Sequence, residues 1–201
     1  MGYFGESVAG LGDVNGDGFA DVAVGAPGFD QSYRGAVVVS RVFVYFGGVA
    51  PHALPDLVLQ GEKLTEEFGK VVVPAGDVDH DGYADFAVLA PGVGPLDLAG
   101  TPNAIPMWPG KVYLYSGGPN AGQSIIATMT AGTTFPLIGS LAMLDVDGDA
   151  EAEILASEWD FNASTGGHVN IYRASDGYTR PARTLPTAPS YGGYCDANIS
   201  R

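Results

Sequence analysis

Oxygen-bearing side chains recur at relative positions 1, 3, 5 and 9 of a nine-residue stretch, and they do so three times in this sequence. The first stretch carries Asp13, Asn15, Asp17 and Asp21. The second carries Asp77, Asp79, Asp81 and Asp85, and the third Asp145, Asp147, Asp149 and Glu153. Groups clustered this way repel one another unless a cation sits among the oxygens. Hard cations, calcium above all, take roughly six to eight oxygen ligands from carboxylates, carbonyls and water. Position 7 (Phe19, Tyr83, Glu151) would add its backbone carbonyl, and position 9 closes each site from the start of the following strand. The pattern reads as two calcium (Ca2+) sites, with a third at residues 145–153 on a departing template. Magnesium is the lesser rival, because it demands octahedral geometry and keeps its waters. Asp-Gly and Asn-Gly also make plain hairpin turns, but four ligand positions repeated in register favour the metal. A filled shell leaves no open position for substrate, so the expected role is structural.

These loops account for most of the charge. The chain has 201 residues, 23 acidic and nine basic, for a net charge of −14. Eleven of the acidic groups lie at loop positions 1, 3, 5 and 9. The few Lys and Arg are scattered, which leaves no phosphate-neutralising footprint and speaks against nucleic acid. No apolar run of about 18 residues is present, so no membrane span is expected. Cys195 is the only cysteine, which excludes an internal disulfide and a CxxC site. No nucleophile elbow, HExxH or phosphate loop appears, so the chain reads as non-enzymatic. His80, at loop position 4, is expected to face solvent. His52 and His168 have no carboxylate or thiol at metal spacing, and Cys195 lacks a nearby His. Asn162 and Asn198 head glycosylation sequons, which carry meaning only in a eukaryotic secretory setting.

Four short strands are expected around the first loop: 7–12, 20–27, 36–46 and 56–60. The order then returns as 70–76, 84–91, 111–118 and 124–130, and again in part as 138–144, 152–156 and 168–173. No 12-residue window carries a helical apolar period free of Gly or Pro. The loops are spaced by 64 and 68 residues, a period that marks a repeat architecture in which each unit buries its face against a neighbour. The expected fold is all-β, built of four-stranded antiparallel β-propeller blades. Blade 1 spans 1–66, blade 2 spans 67–133 and a divergent blade 3 spans 134–190, while 191–201 starts a further repeat or a tail. About three blades make an incomplete ring, so the chain is expected to self-associate or to belong to a larger propeller.

Phe4-Gly5, Gly12 to Gly18 and Val24 to Pro27, then Phe68-Gly69, Gly76 to Gly82 and Leu89 to Pro91, resemble the FG-GAP repeat of integrin α-subunit propellers and related bacterial proteins. The resemblance covers nearly the whole chain. It implies a seven-bladed propeller with Ca2+ in the loop joining strands 1 and 2, and partner recognition on the opposite face. The third copy departs from it: Pro136-Leu137 replaces Phe-Gly, Ala150 takes the sixth loop position, and Gly-Ala-Pro becomes Ala156-Ser157-Glu158.

The insertion Gly92 to Gly110, with Leu96, Leu98, Ile105, Met107 and Trp108, should emerge on that opposite face. It suits a contact site and equally a packing role for Trp108. Loops 28–34 (Asp30, Tyr33, Arg34) and 158–167 (Trp159, Asp160, Phe161) should open on the same side. The expected function is a calcium-binding, non-enzymatic protein-interaction or cell-adhesion module, whose partner is an extracellular protein or a neighbouring subunit. Alternatives are a glycan-binding, lectin-type propeller and an accessory propeller of a secreted hydrolase or lyase. Residues 1–5 enter the first repeat with no leader-like segment. The calcium demand of such loops nevertheless favours an extracellular or cell-surface setting, with any leader outside these residues.

Overall fold

The computed structural model describes residues 3–28, 39–50, 53–62, 66–92, 109–131, 136–160 and 167–186. Among them, β1 (Ser7–Gly12), β2 (Asp21–Ala26), β3 (Arg41–Tyr45) and β4 (Leu57–Gln60) form the first sheet. The second contains β5 (Val71–Gly76), β6 (Asp85–Ala90), β7 (Lys111–Tyr115) and β8 (Ile125–Thr130). The third contains β9 (Pro136–Leu144), β10 (Glu153–Asp160), β11 (His168–Tyr172) and β12 (Pro181–Pro186). Each is a four-stranded antiparallel meander in chain order. The only helical turn among the described residues is the 3-10 turn Ala174–Asp176. The all-β blade architecture expected from the repeat is therefore present. β1 lies beside β5, and β5 beside β9, so the first strand of each blade faces the first strand of the next.

Strand patterning explains the stacking. Successive strand residues point to opposite faces of a sheet, and β6 is buried along its whole length. Phe86, Val88 and Ala90 join Leu11, Ala23, Val42 and Val44 in a core between the first and second blades. Ala87 and Leu89 point the other way, into a core with Ile138, Leu141, Ile154 and Ala156 of the third blade. A strand sandwiched on both faces needs an unbroken apolar run, and Phe86 to Ala90 supplies it. The outer face of the first blade is open by comparison: Val8 is 66% and Val22 39% exposed.

β1 and β5 each end in an irregularity of register, between Gly10 and Gly12 and between Pro74 and Gly76. Gly12 (φ +86°) and Gly76 (φ +75°) adopt left-handed backbone there, as a bulge requires. Pro74 is tolerated because β5 is an edge strand of its sheet.

Several expectations are revised. β3 is assigned from Arg41, and positions 36–38 of the expected strand lie outside the described residues. β10 runs four residues beyond the expected end and carries Trp159 and Asp160 in strand rather than in a loop. β12 was not anticipated, because Pro181 and Pro186 bracket it and it has no β-branched run. As the last strand of its sheet it can carry prolines at its ends. Register also corrects the third Gly-Ala-Pro. Val22 pairs with Tyr45 and Gly25 with Val42, while Ile154 pairs with Tyr172 and Ser157 with Val169. Ser157 therefore stands where Gly25 does, and Glu158 where Ala26 does. Residues 29–38, 93–108 (with Trp108), 161–166, His52, Tyr191-Gly192, Cys195 and both sequon asparagines lie outside the described residues.

Candidate metal centre

Each acidic loop joins the first two strands of its blade, so all three open at equivalent ends of their sheets. Position 1 organises the turn. Asp13 accepts hydrogen bonds from the backbone N–H groups of Gly16 (2.7 Å), Asp17 (3.0 Å) and Gly18 (2.9 Å). Asp77 accepts from Asp81 and Gly82 at 3.0 and 2.9 Å, and Asp145 from Gly148 and Ala150 at 2.6 and 3.0 Å. The N–H of Gly148, followed by those of neighbouring residues, holds the Asp145 carboxyl below the usual carboxylate range. Position 5 caps position 7: Phe19, Tyr83 and Glu151 donate their N–H to Asp17, Asp81 and Asp149 at 2.9, 3.0 and 2.9 Å.

Position 9 is the buried member. Asp21 and Asp85 are fully buried and Glu153 nearly so. Asp21 accepts from Val14 N–H (2.8 Å) on one oxygen and Gly47 N–H (2.7 Å) on the other. Asp85 does the same with Val78 and Gly117, both at 2.8 Å. Each carboxylate thus bridges the loop at its own strand to the end of the third strand of the blade. Burial pushes Asp85 up to about 6, against the pull of the Gly117 and Val78 N–H groups, and Asp79 and Asp81 add to the rise. Glu153 keeps the first contact, from Val146 N–H at 2.8 Å, but its other oxygen lies 4.0 Å from Nε of Arg173.

Carboxylate oxygens of Asp77, Asp79 and Asp85 approach within 4.8 Å of one another, as do those of Asp145, Asp147 and Glu153. These are positions 1, 3 and 9, and either set is placed to hold a cation. Position 5, Asp81 or Asp149, is not part of either group. The same three positions in the first loop hold Asp13, Asn15 and Asp21, two carboxylates and an amide, and the Asn15 amide donates to Asp17 at 2.9 Å. The donors are hard oxygens throughout, with a mixture of carboxylate and carbonyl that suits calcium or magnesium better than softer metals.

The loops are also joined to one another. Ala84 N–H donates to the Asp13 carbonyl (3.1 Å) and Gly118 N–H to the Val14 carbonyl (2.7 Å). Position 4 of one loop meets position 7 of the next. A Cβ on Gly16 would strike the Tyr83 ring, and His80 Nε2 lies 3.6 Å from Glu151 Oε1. His80 is 70% exposed, as its loop position implied.

Sequence reasoning missed four features. The backbone donors Gly47 and Gly117 lie just past the third strand of each blade, distant in sequence from the loop. Tyr178 is buried over the third loop, donates to the Ala152 carbonyl at 3.0 Å, and is pushed up to about 12 by burial and then by Glu151 and Glu153. Arg173 is visible only when repeats are aligned, because it follows Tyr172 where Phe46 follows Tyr45 and Ser116 follows Tyr115. His168 also gains partners that spacing hid, Glu158 Oε2 at 3.8 Å and Asn170 Nδ2 at 3.4 Å.

A family profile described as the FG-GAP repeat matches residues 4–40. Blades, loop placement and this match agree. The chain carries the FG-GAP repeat. Human integrin alpha-IIb is 48% identical to this FG-GAP chain over 97 residues, which is 46% of the chain and 9% of the relative. Xenopus laevis integrin alpha-5 is 40% identical over 124 residues, 61% of the chain and 11% of the relative. Bovine phosphatidylinositol-glycan-specific phospholipase D is 32% identical over 154 residues, 71% of the chain and 17% of the relative. The FG-GAP chain thus spans only 9–17% of the length of these relatives. It is an integrin α-like propeller sequence.

Proposed function

We propose that the chain is a calcium-stabilised propeller segment acting as a non-enzymatic protein-interaction module outside the cell. The observation that carries this reading is the double role of position 9. Asp21 and Asp85 are buried carboxylates that tie the loop to the third strand, and Asp85 also closes a set of oxygens with Asp77 and Asp79. A cation there would neutralise the charge that burial penalises and clamp the first three strands of a blade. Asp13, Asn15, Asp17, Phe19 and Asp21 would supply the first site, with Asp77, Asp79, Asp81, Tyr83 and Asp85 the second. Blades are taken to divide at 66/67 and 133/134. The two integrins are the more identical of the relatives named, which favours recognition of a protein partner over chemistry.

The test is thermal melting of the 201-residue chain in millimolar calcium and after chelation. A substantial fall in Tm on chelation, restored by calcium and weakly by magnesium, is expected. Unchanged melting and protease resistance would refute the reading.

A second reading is an accessory propeller of a secreted hydrolase. Its support is the phospholipase D relative, which is 32% identical over 71% of this chain. Hydrolysis of a glycosylphosphatidylinositol substrate by the isolated chain is not expected on either reading.

A further inference from the structure

The third loop has the acidic positions of the other two and a cation of its own. Arg173 Nη2 lies 2.7 Å from Asp147 Oδ2, a close ion pair, and Arg173 Nε lies 4.0 Å from Glu153 Oε1. That nitrogen is buried and makes no hydrogen bond, so the guanidinium is directed between positions 3 and 9 of the loop. Those are two of the three carboxylates that converge there. The corresponding residues of the other blades are Phe46 and Ser116, neither charged. In those blades the second oxygen of position 9 accepts a backbone N–H, whereas in the third blade it faces the guanidinium.

We propose that Arg173 is the resident cation of the third loop, so that residues 145–153 hold their fold without metal. A calcium ion binds its oxygens at about 2.3–2.6 Å, which would require it to enter the space between Asp147 and Glu153. The guanidinium fork matches carboxylate geometry and stays charged at every accessible pH. It is covalently tethered, so it acts at high effective concentration and does not depend on external calcium. Two further changes accompany it. Ala150 stands at φ +71° where the other loops have glycine, and Glu153 is one methylene longer than Asp21 or Asp85. The number of ions left to bind rests on the calcium reading of the first two loops, but the role of Arg173 does not.

The experiment counts bound calcium per chain by equilibrium dialysis at millimolar calcium, for the 201-residue chain and for Arg173→Gln. The expected result is two ions for the parent chain and three for the variant. Three ions for the parent, or no gain in the variant, overturns the proposal. Should the parent bind none, the calcium reading of the first two loops fails, yet a gain of one ion by Arg173→Gln still upholds the role of Arg173. Asp147→Asn in the parent provides the second measurement, independent of how Arg173→Gln folds. It is expected to leave the count unchanged, and loss of one ion overturns the proposal.

Discussion

Gly25 and Gly69 meet backbone against backbone, and a Cβ on Gly25 would collide with the Gly69 carbonyl oxygen. The two residues belong to different repeats. Gly25 is the glycine of the first Gly-Ala-Pro, and Gly69 that of the second Phe-Gly. The contact is flanked by a hydrogen bond from Val72 N–H to Ser7 Oγ (3.0 Å) and by the Glu6–Lys70 ion pair at 3.1 Å. Phe68 sits beside it, fully buried, with its ring edge-on to Tyr113 at 5.5 Å. The two halves of the repeat signature are thus two sides of one joint between neighbouring blades.

Gly25→Ala is therefore expected to destabilise the chain by about 1–3 kcal/mol, the range for overpacking a closed interface. Gly10→Ala is the control. Nothing lies within 4 Å of its Cβ position, and its effect should stay within about 0.5 kcal/mol. Urea denaturation of both variants reads the difference, and equal midpoints would exclude the joint.

Gly16 and Tyr83 provide a second inter-blade contact. Gly16→Ala places a methyl group against the Tyr83 ring at a backbone with φ +80°. A loss of roughly 1–3 kcal/mol is expected, and Tyr83→Ala in the same chain should recover the part due to the clash while the strain at φ remains. A double-mutant cycle measures that coupling, and strict additivity would contradict it.

The repeat pattern gives the wrong advice at Glu158. Alanine occupies that position in the first two blades, so Glu158→Ala looks like a return to consensus. In the third blade the carboxylate is buried and accepts from Asn170 Nδ2 (2.7 Å) and Tyr172 OH (3.0 Å). Its removal leaves those donors without this acceptor, at a cost of about 1–3 kcal/mol for each buried group left unsatisfied. Thermal melting is expected to show Glu158→Ala less stable than the parent, and a higher Tm would count against the network.

Burial pushes both Tyr115 and Tyr178 up to about 12, from an ordinary value of 10.0. The folded state holds these protons more tightly than the unfolded chain does. Their contribution is fully present below about pH 10 and is lost as pH rises from there toward 12. Tyr178→Phe should flatten this alkaline fall in Tm and lower Tm at neutral pH by the loss of one hydrogen bond, about 1 kcal/mol. An unchanged alkaline profile would show that Tyr178 ionises normally.

The blades were legible because turn residues and loop ligands recur at fixed offsets, and because β6 needs its apolar run to be buried on both faces. β12 was not legible, since a proline-bracketed edge strand looks like a loop. Position 9 announced itself as an oxygen at the right spacing. That its second oxygen would find Gly47 or Gly117 could not be read, because those partners lie 26 and 32 residues downstream. The Glu158–His168 approach was hidden similarly: ten residues of sequence separate groups that strand pairing sets side by side. The Arg173–Asp147 contact escaped because charge was counted within loops and not across the aligned repeats.

The joint at Gly25 and Gly69 also bears on how such a chain can be lengthened. A segment running from one Phe-Gly to the next carries one half of the joint at its start and the other half within its second strand. In-frame duplication of such a segment recreates a matched seam automatically. The seam between the second and third blades is keyed differently, with Leu89 in the place of Gly25 and Pro136-Leu137 in the place of Phe-Gly. The first unit could be copied beside itself without redesign, whereas the second and third can be moved only as a pair.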